Sequence, residues 1–400
     1  MTTTHRTTPP GALRAEPGGE IRLTSSVTTT QTVVFTRDLL ALDNALLASL
    51  VGTTPSLFVT TPTVARLYGP ALREYLATHL PDAAHRVQVI DCRENTKTMD
   101  SVLSICHAAS EMKLGRTARI IGVGGGVCTD VAGFAAAIYG RGVAHIKIPT
   151  TFIGLIDAGI ATKNAVNFAD RKSSIGTFNS PEYSVLDPTF VHSLDRRHVR
   201  SGMGECLKIA LVCDRALFEV LERDGPVIIE SALARPAESV DHVVRASVLG
   251  MLEELSENLF EIDAFQRAVN FGHTLSPYIE AATGYTILHG EAVAIDMAIS
   301  VTIAQRLGVM SAPEAERALE TMGRLGMLEG WPDIDAAALW SSLEFVRAHR
   351  GGRLHLVVPT TIGSHAFLDD LSAIGVDGLA DVLAELGEAN ANDRRDPVGA

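Results

Sequence analysis

Positive charge is scarce in this 400-residue chain: 34 Lys+Arg stand against 47 Asp+Glu, leaving a formal charge of −13. A protein that grips nucleic acid or an anionic membrane needs a basic face, so neither is expected as a partner. A small phosphorylated ligand needs only a few local cations and stays possible. Lysine is the scarcer cation, with six (Lys97, Lys113, Lys147, Lys163, Lys172, Lys208) beside twenty-eight arginines, so each lysine's position carries information. The five cysteines are an odd number without a CxxC pair. They offer no disulfide framework and no thiolate zinc site, and a reducing cytoplasm is the expected location. No run approaches the ~20 clean apolar residues of a membrane helix. The opening MTTTHRTTPPGALRAEPGGE lacks the apolar core of a signal peptide.

The 46% apolar content is enough for substantial cores, and the length favours two domains. Residues 1–30 read as a disordered arm. From 31 to 190, short β-branched runs (TVVFT, SLFVTT, RVQVID, ARIIGV, HIKIP) alternate with segments whose apolar residues recur every three or four. That alternation predicts an α/β domain with a parallel sheet covered on both faces. From 191 to 385 the strand signal nearly vanishes. RHVRSGMGECLKIALV, VDHVVRASVLGMLEEL, AFQRAVNFGHTLSPYIEAAT and GEAVAIDMAISVTIAQRL read as helices, with RLHLVVPT as one late strand. Residues 386–400 read as a flexible tail. A site in the cleft between the two domains is expected.

Three segments carry the chemistry. ARIIGV runs into GVGGGVCTDVAGFAAAIYGRG, a strand followed by Gly124, Gly125 and Gly126 and a helix opening with Thr129 and Asp130. Glycines there let a diphosphate approach the backbone, and the helix terminus supplies N–H donors. Val127 breaks the GxGxxG fingerprint, and a tight turn before a buried helix is the alternative. Next, Thr150 and Thr151 end a strand, with Asp157 and Lys163 just beyond; the pair faces a ligand crevice or is merely solvated. Finally, Glu205 and Lys208 share a helix face in GECLK, His273 follows in FGHT and His289 in LHGEA. One carboxylate and two imidazoles suit a catalytic metal ion, although isolated histidines are more often structural.

In this order, the segments resemble the sugar phosphate cyclases, the family of dehydroquinate synthase, from about residue 30 to 370. LIDAGI, GMLEEL, ENLFE and GHTLSP are most similar to its C7-cyclitol branch, the 2-epi-5-epi-valiolone synthases in particular. The resemblance implies a dehydroquinate synthase-like fold, with an NAD-binding α/β domain and a helical metal-binding domain. It implies a phosphate-eliminating lyase (EC 4.2.3 type) of secondary metabolism that cyclises sedoheptulose 7-phosphate with bound NAD and a divalent metal, zinc or cobalt. Matching positions place Glu94, Lys97, Gly124, Gly125, Gly126, Asp130, Thr150 and Thr151 at the NAD, and Glu205, His273 and His289 at the metal. Asp157, Lys163, Lys172 and Lys208 match the substrate pocket, where Arg245 replaces a lysine and Asn270 stands in place of the aspartate expected of the valiolone synthases. Arg141, in YGRGV, matches an arginine that enters the partner subunit's site, implying a homodimer. Pro277 replaces the second histidine of the dehydroquinate-type GHxxGH, which favours the C7 branch. Ser173, Asn164-Ala165 and Asn270 depart from the usual residues and bear on product stereochemistry. A 2-epi-valiolone synthase or other cyclase is the nearest alternative; a metal-dependent alcohol dehydrogenase and a catalytically inactive relative are the others.

Overall fold

All five of the expected N-terminal strands pair in one sheet. The computed structural model describes residues 13–15, 19–24, 28–169, 171–260 and 266–393. After a small hairpin, β1 (Leu13–Ala15) and β2 (Ile21–Leu23), the chain runs through β3 (Thr32–Phe35), α1 (Leu46–Val51), β4 (Ser56–Thr60), α2 (Pro62–His79), β5 (His85–Val89), α3 (Met99–Glu111), β6 (Arg119–Gly124), α4 (Gly126–Ile138) and β7 (Ala144–Pro149). An antiparallel hairpin follows, β8 (Lys163–Phe168) and β9 (Arg171–Phe178), then β10 (Tyr183–Leu186). The six-stranded sheet has the order β3-β10-β7-β6-β4-β5 and every pairing in it is parallel.

The side-chain alternation of β4 shows why both faces are covered. Leu57 and Val59 pack with Val102 and Ile105 of α3 and Val131 and Ala135 of α4. Phe58 packs on the opposite face with Leu47 and Val51 of α1 and Leu72, Tyr75 and Leu76 of α2. Helix α2 starts where Thr61 accepts a hydrogen bond from the Val64 N–H and Pro62 pre-sets the first turn.

The helical half comprises α5 (Arg196–Val212), α6 (Arg215–Glu230), α7 (Ala237–Ser256), α8 (Ser276–Ala282), α9 (His289–Arg306), α10 (Ala312–Arg324) and α11 (Ala336–His349), then the hairpin β11 (Leu356–Thr361) and β12 (Ser364–Leu368), and α12 (Gly375–Asp393). Helices α5 and α9 form its centre. They cross where Gly204 and Gly290 meet, and a Cβ on Gly290 would lie 1.8 Å from the Ser201 carbonyl oxygen. That close approach brings Glu205 and His289 together.

Four expectations differ from the structure. The arm over 1–30 contains the β1–β2 hairpin and the edge strand's lead-in, and the rest of its first eighteen residues lies outside the described residues. The tail over 386–400 continues α12 to Asp393, because Leu379, Val382, Leu383 and Leu386 keep its apolar face on the core; residues 394–400 lie outside the described residues. The segment around His273 is not one helix but a short turn at Ala268–Asn270, then α8. Gly272 breaks it with φ +73°, and a Cβ there would strike Val293 Cγ1 at 2.8 Å. The β8–β9 hairpin and β10 were not expected; the hairpin's polar, glycine-bearing strands carry no apolar run.

Candidate active site

Chain order reverses between β4 and β6, since β5 lies outside β4 while β6 lies on its other side. Beyond the carboxyl ends of strands flanking such a switch point, a parallel sheet leaves a crevice for ligands. Here a cavity of about 360 Å³ occurs, lined by Thr61, Asp91, Cys92, Gly125, Thr150 and Thr151 with His198 from α5. Gly125 precedes α4 without a capping side chain, leaving the first N–H groups of α4 for a ligand's oxygens. The glycines differ in what they permit. A Cβ on Gly124 would meet Cys128 Cβ at 2.6 Å, whereas Cβ atoms on Gly125 and Gly126 would meet Thr151 Cγ2 and Ala158 Cβ at 3.0 Å. Thr150 is buried and its N–H donates to the Gly124 carbonyl at 2.9 Å. This cradle fits a dinucleotide diphosphate.

A larger cavity, about 610 Å³, is lined by residues of both halves, among them Asp130 of α4, Asp157, Lys163, Ser173, Lys208 and Asn270. Arg267 and His273 also line it. Asp130 pairs with the buried Lys97 ammonium at 2.7 Å, and Lys97 also reaches Ser173 Oγ at 3.4 Å. Burial, then the Glu205 carboxylate, pushes Asp157 up from the usual carboxylate range against the pull of Lys208.

Glu205, His273 and His289 bring one donor atom each within 4.8 Å of one another. Glu205 is fully buried, and neither of its oxygens accepts a well-directed hydrogen bond, although Lys208 Nζ lies 2.6 Å from Oε2. Both rings turn the same nitrogen inward. His273 Nδ1 is 2.9 Å from the Phe271 carbonyl, and His289 Nδ1 is 2.6 Å from Glu280 Oε1. Their Nε2 atoms lie 3.6 and 3.4 Å from Glu205 Oε1. A buried carboxylate without a well-directed hydrogen bond on either oxygen, with two imidazoles whose outer nitrogens are engaged, fits a divalent ion such as zinc or cobalt. Burial would raise Glu205, but Lys208 and the histidines hold it well below its usual range. Burial, then Lys208, pushes His273 down to about 4. His289 goes the other way, to about 9, because Glu205 and Glu280 outweigh its burial.

Local structure fixes these ligands. Asp296 of α9 accepts from the N–H groups of Leu275 and Ser276 at 2.6 and 3.0 Å, holding the segment after His273. Glu291 accepts from the Leu288 N–H at the start of α9 and is itself held by Arg197 of α5. Asn270 is joined to His273 by a backbone hydrogen bond of 3.0 Å, so the two reach the cavity from a turn rather than from the helix expected over this segment.

Two expected residues stay outside the cavity. Arg245, expected in the substrate pocket, pairs with Asp241 one helical turn away at 2.8 Å and stacks over Phe35 at 4.4 Å, because α7 presents it to the surface. Arg141 sits on an exposed turn with φ +67° and lines neither of these two cavities. Lys172 reaches the ligand set indirectly, through Glu280 Oε2 at 2.8 Å. Glu94 accepts from Asn167 Nδ2, whose Oδ1 takes the Ser173 N–H. Sequence reasoning missed Glu280, Arg267, Asn167 and Lys147. Lys147 was conspicuous as a lysine in an apolar strand; it is fully buried, donates to the Ala158 and Ala161 carbonyls at 3.0 and 2.9 Å, and so pins the turn bearing Asp157. Its burial lowers it to about 8. Pro277 is exposed at the start of α8 and does not line the cavity.

The chain belongs to the 3-dehydroquinate synthase family: its N-terminal model matches residues 87–201 and its C-terminal model residues 202–344. Within that family it is similar to the 2-epi-5-epi-valiolone synthase of Streptomyces hygroscopicus subsp. jinggangensis, at 39% identity over 342 residues, 84% of this chain and 82% of the relative. The corresponding enzyme of an Actinomyces species is 37% identical over 329 residues, 81% of this chain and 86% of the relative. The solved structure of ValA, a 2-epi-5-epi-valiolone synthase from S. hygroscopicus subsp. jinggangensis with NAD+ and Zn2+ bound, superposes with a TM-score of 0.85 at 37% identity, covering 92% of this chain and 99% of that one.

Proposed function

We propose that this protein is a C7 sugar phosphate cyclase that converts sedoheptulose 7-phosphate to 2-epi-5-epi-valiolone and inorganic phosphate. The observation that carries this reading is the complete Glu205/His273/His289 donor set facing a cavity lined by Asp130, Asp157, Lys163 and Lys208, in a chain similar to valiolone synthases over most of its length. NAD held at the glycine cradle supplies a hydride acceptor that is restored within each turnover, and a divalent ion at the donor set supplies a Lewis acid. Within the cavity, Lys163 and Lys208 offer cations for the phosphate and for developing oxyanions. Lys97 holds Asp130, and Lys147 holds the turn of Asp157, so both carboxylates keep fixed positions at the cavity wall. Substrate and products balance without net oxidation: one phosphate leaves, a proton is lost beside the oxidised carbon, and an intramolecular aldol closes the ring. The reaction is that of a phosphate-eliminating carbon–oxygen lyase. The protein acts as a cytoplasmic homodimer, with Arg141 of each chain reaching the partner's site.

The test is incubation of the purified protein with sedoheptulose 7-phosphate, with the product solved by NMR. Phosphate and cyclitol should appear in equal amounts with no accumulation of NADH. The C7 acid analogue, 3-deoxy-arabino-heptulosonate 7-phosphate, should be turned over at least about a hundredfold more slowly, since burying its extra carboxylate without a matched cation costs several kcal/mol and ~1.4 kcal/mol is tenfold. Stoichiometric NADH would indicate a dehydrogenase, and equal rates on both substrates would remove the C7 assignment.

A further inference from the structure

One carboxylate in the cleft belongs to neither the nucleotide cradle nor the donor set. Glu280 projects from α8 with only 8% of its side chain exposed. Its Oε1 lies 2.6 Å from His289 Nδ1, and its Oε2 accepts from Lys172 Nζ at 2.8 Å. The two partners come from opposite halves of the molecule: Lys172 from β9 of the N-terminal hairpin, His289 from the first turn of α9. A buried carboxylate with a strong donor on each oxygen cannot rotate freely, and it orients both donors in turn. Occupying Nδ1–H leaves Nε2 as the ring's available lone pair, and that atom faces Glu205 at 3.4 Å.

We propose that Glu280 is a positioning residue that ties the hairpin lysine Lys172 to the metal ligand His289, so that one carboxylate aligns the substrate-side cation and the metal centre together. The inference rests on the reading that Glu205, His273 and His289 hold a divalent ion. An ion pair serving only to join the two halves would need neither the imidazole contact nor the buried setting. Glu280 has both, and the Nδ1 contact is what selects the ring's inward nitrogen.

Glu280→Gln tests it, because the amide keeps the shape but has one accepting oxygen where the carboxylate has two. Zinc affinity of the metal-stripped, full-length protein is measured by competition with a chromogenic chelator, alongside thermal unfolding. The expected result is a loss of about 10- to 100-fold in zinc affinity. The visible spectrum of the cobalt-loaded form should shift as His289 reorients. Lys172→Met should leave zinc affinity within about threefold of the parent, because His289 keeps its carboxylate, while the KM for sedoheptulose 7-phosphate rises. If Glu280→Gln does not fold, Glu280→Asp decides: the charge is kept but the reach is shorter, and zinc affinity should still fall. Parental zinc affinity and cobalt spectrum in a folded Glu280 variant would overturn the proposal. A parent protein that binds no zinc would overturn the metal reading before any variant is compared, so the two failures are told apart.

Discussion

At the scale of single residues, the site works by setting protons against one another. His289 and His273 are the same side chain in one cluster, yet the first is raised to about 9 and the second lowered to about 4. The difference is one of balance: His289 lies between two carboxylates that outweigh its burial, whereas His273 has Glu205 alone on one side and a carbonyl on the other, and burial and the Lys208 ammonium prevail. A metal ion held by both rings, as proposed, would therefore have to displace a proton from His289 at neutral pH but none from His273. Since the proton is held below about pH 9, apparent metal affinity should rise about tenfold per pH unit between roughly pH 6 and 8 and level off above the histidine's pKa. Chelator competition across that range checks this; a flat profile would mean that His289 carries no displaceable proton.

Elements matter here mostly through how closely they approach. Helix α4 begins at the carboxyl end of β6, and two of the three glycines at that junction have separate tasks. Gly124 faces Cys128 in the core, and a methyl there overlaps it at 2.6 Å. Gly124→Ala should therefore destabilise the fold by about 1–3 kcal/mol, as overpacking does. Gly125 has φ −70° and ψ 178°, which any residue adopts, and its added Cβ would meet only the tip of Thr151. Gly125→Val should keep most of the stability but fill the space above the open end of α4, and the purified protein should lose its NAD. Cofactor content by absorbance and HPLC, beside a thermal melt of each variant, separates the two. Retention of a full equivalent of NAD by Gly125→Val would remove the cradle from the cofactor site.

For the whole molecule, the two cavities of the candidate site lie where the two halves meet, and their linings come from residues far apart in sequence. Arg141 is the exception: it sits on an exposed turn and lines neither of the two cavities of the site. If it completes a partner's site, the protein should sediment at twice the chain mass. Arg141→Ala should remain dimeric, keep its metal and NAD, and lose at least about tenfold in turnover, the worth of roughly 1.4 kcal/mol of transition-state stabilisation. Full activity in that variant would show that the arginine does not reach across. Among the described residues no helix is long and apolar enough to cross a membrane.

The parallel sheet, the glycine turn into α4 and the helical second half were legible in the sequence because each rests on local pattern: β-branched runs for buried strands, three glycines for a close turn, apolar spacing for α5, α7 and α9. The donor set was legible as a resemblance, since Glu205, His273 and His289 fall in recognisable segments. What only the tertiary structure decided depends on contacts between distant residues. The helix read around His273 gave way to a turn because Gly272 must pack against α9. Arg245 was assigned to the pocket by position, but the way α7 packs turned it to the surface beside Asp241 and Phe35. Glu280 gave no signal, being one carboxylate in an otherwise ordinary SPYIEAA segment, and its meaning appears only when β9 and α9 close on it from either side. Spacing along a chain reports which face of an element a side chain occupies. It does not report which other element covers that face, and burial and partner choice, hence the proton and metal chemistry of the cleft, are set there.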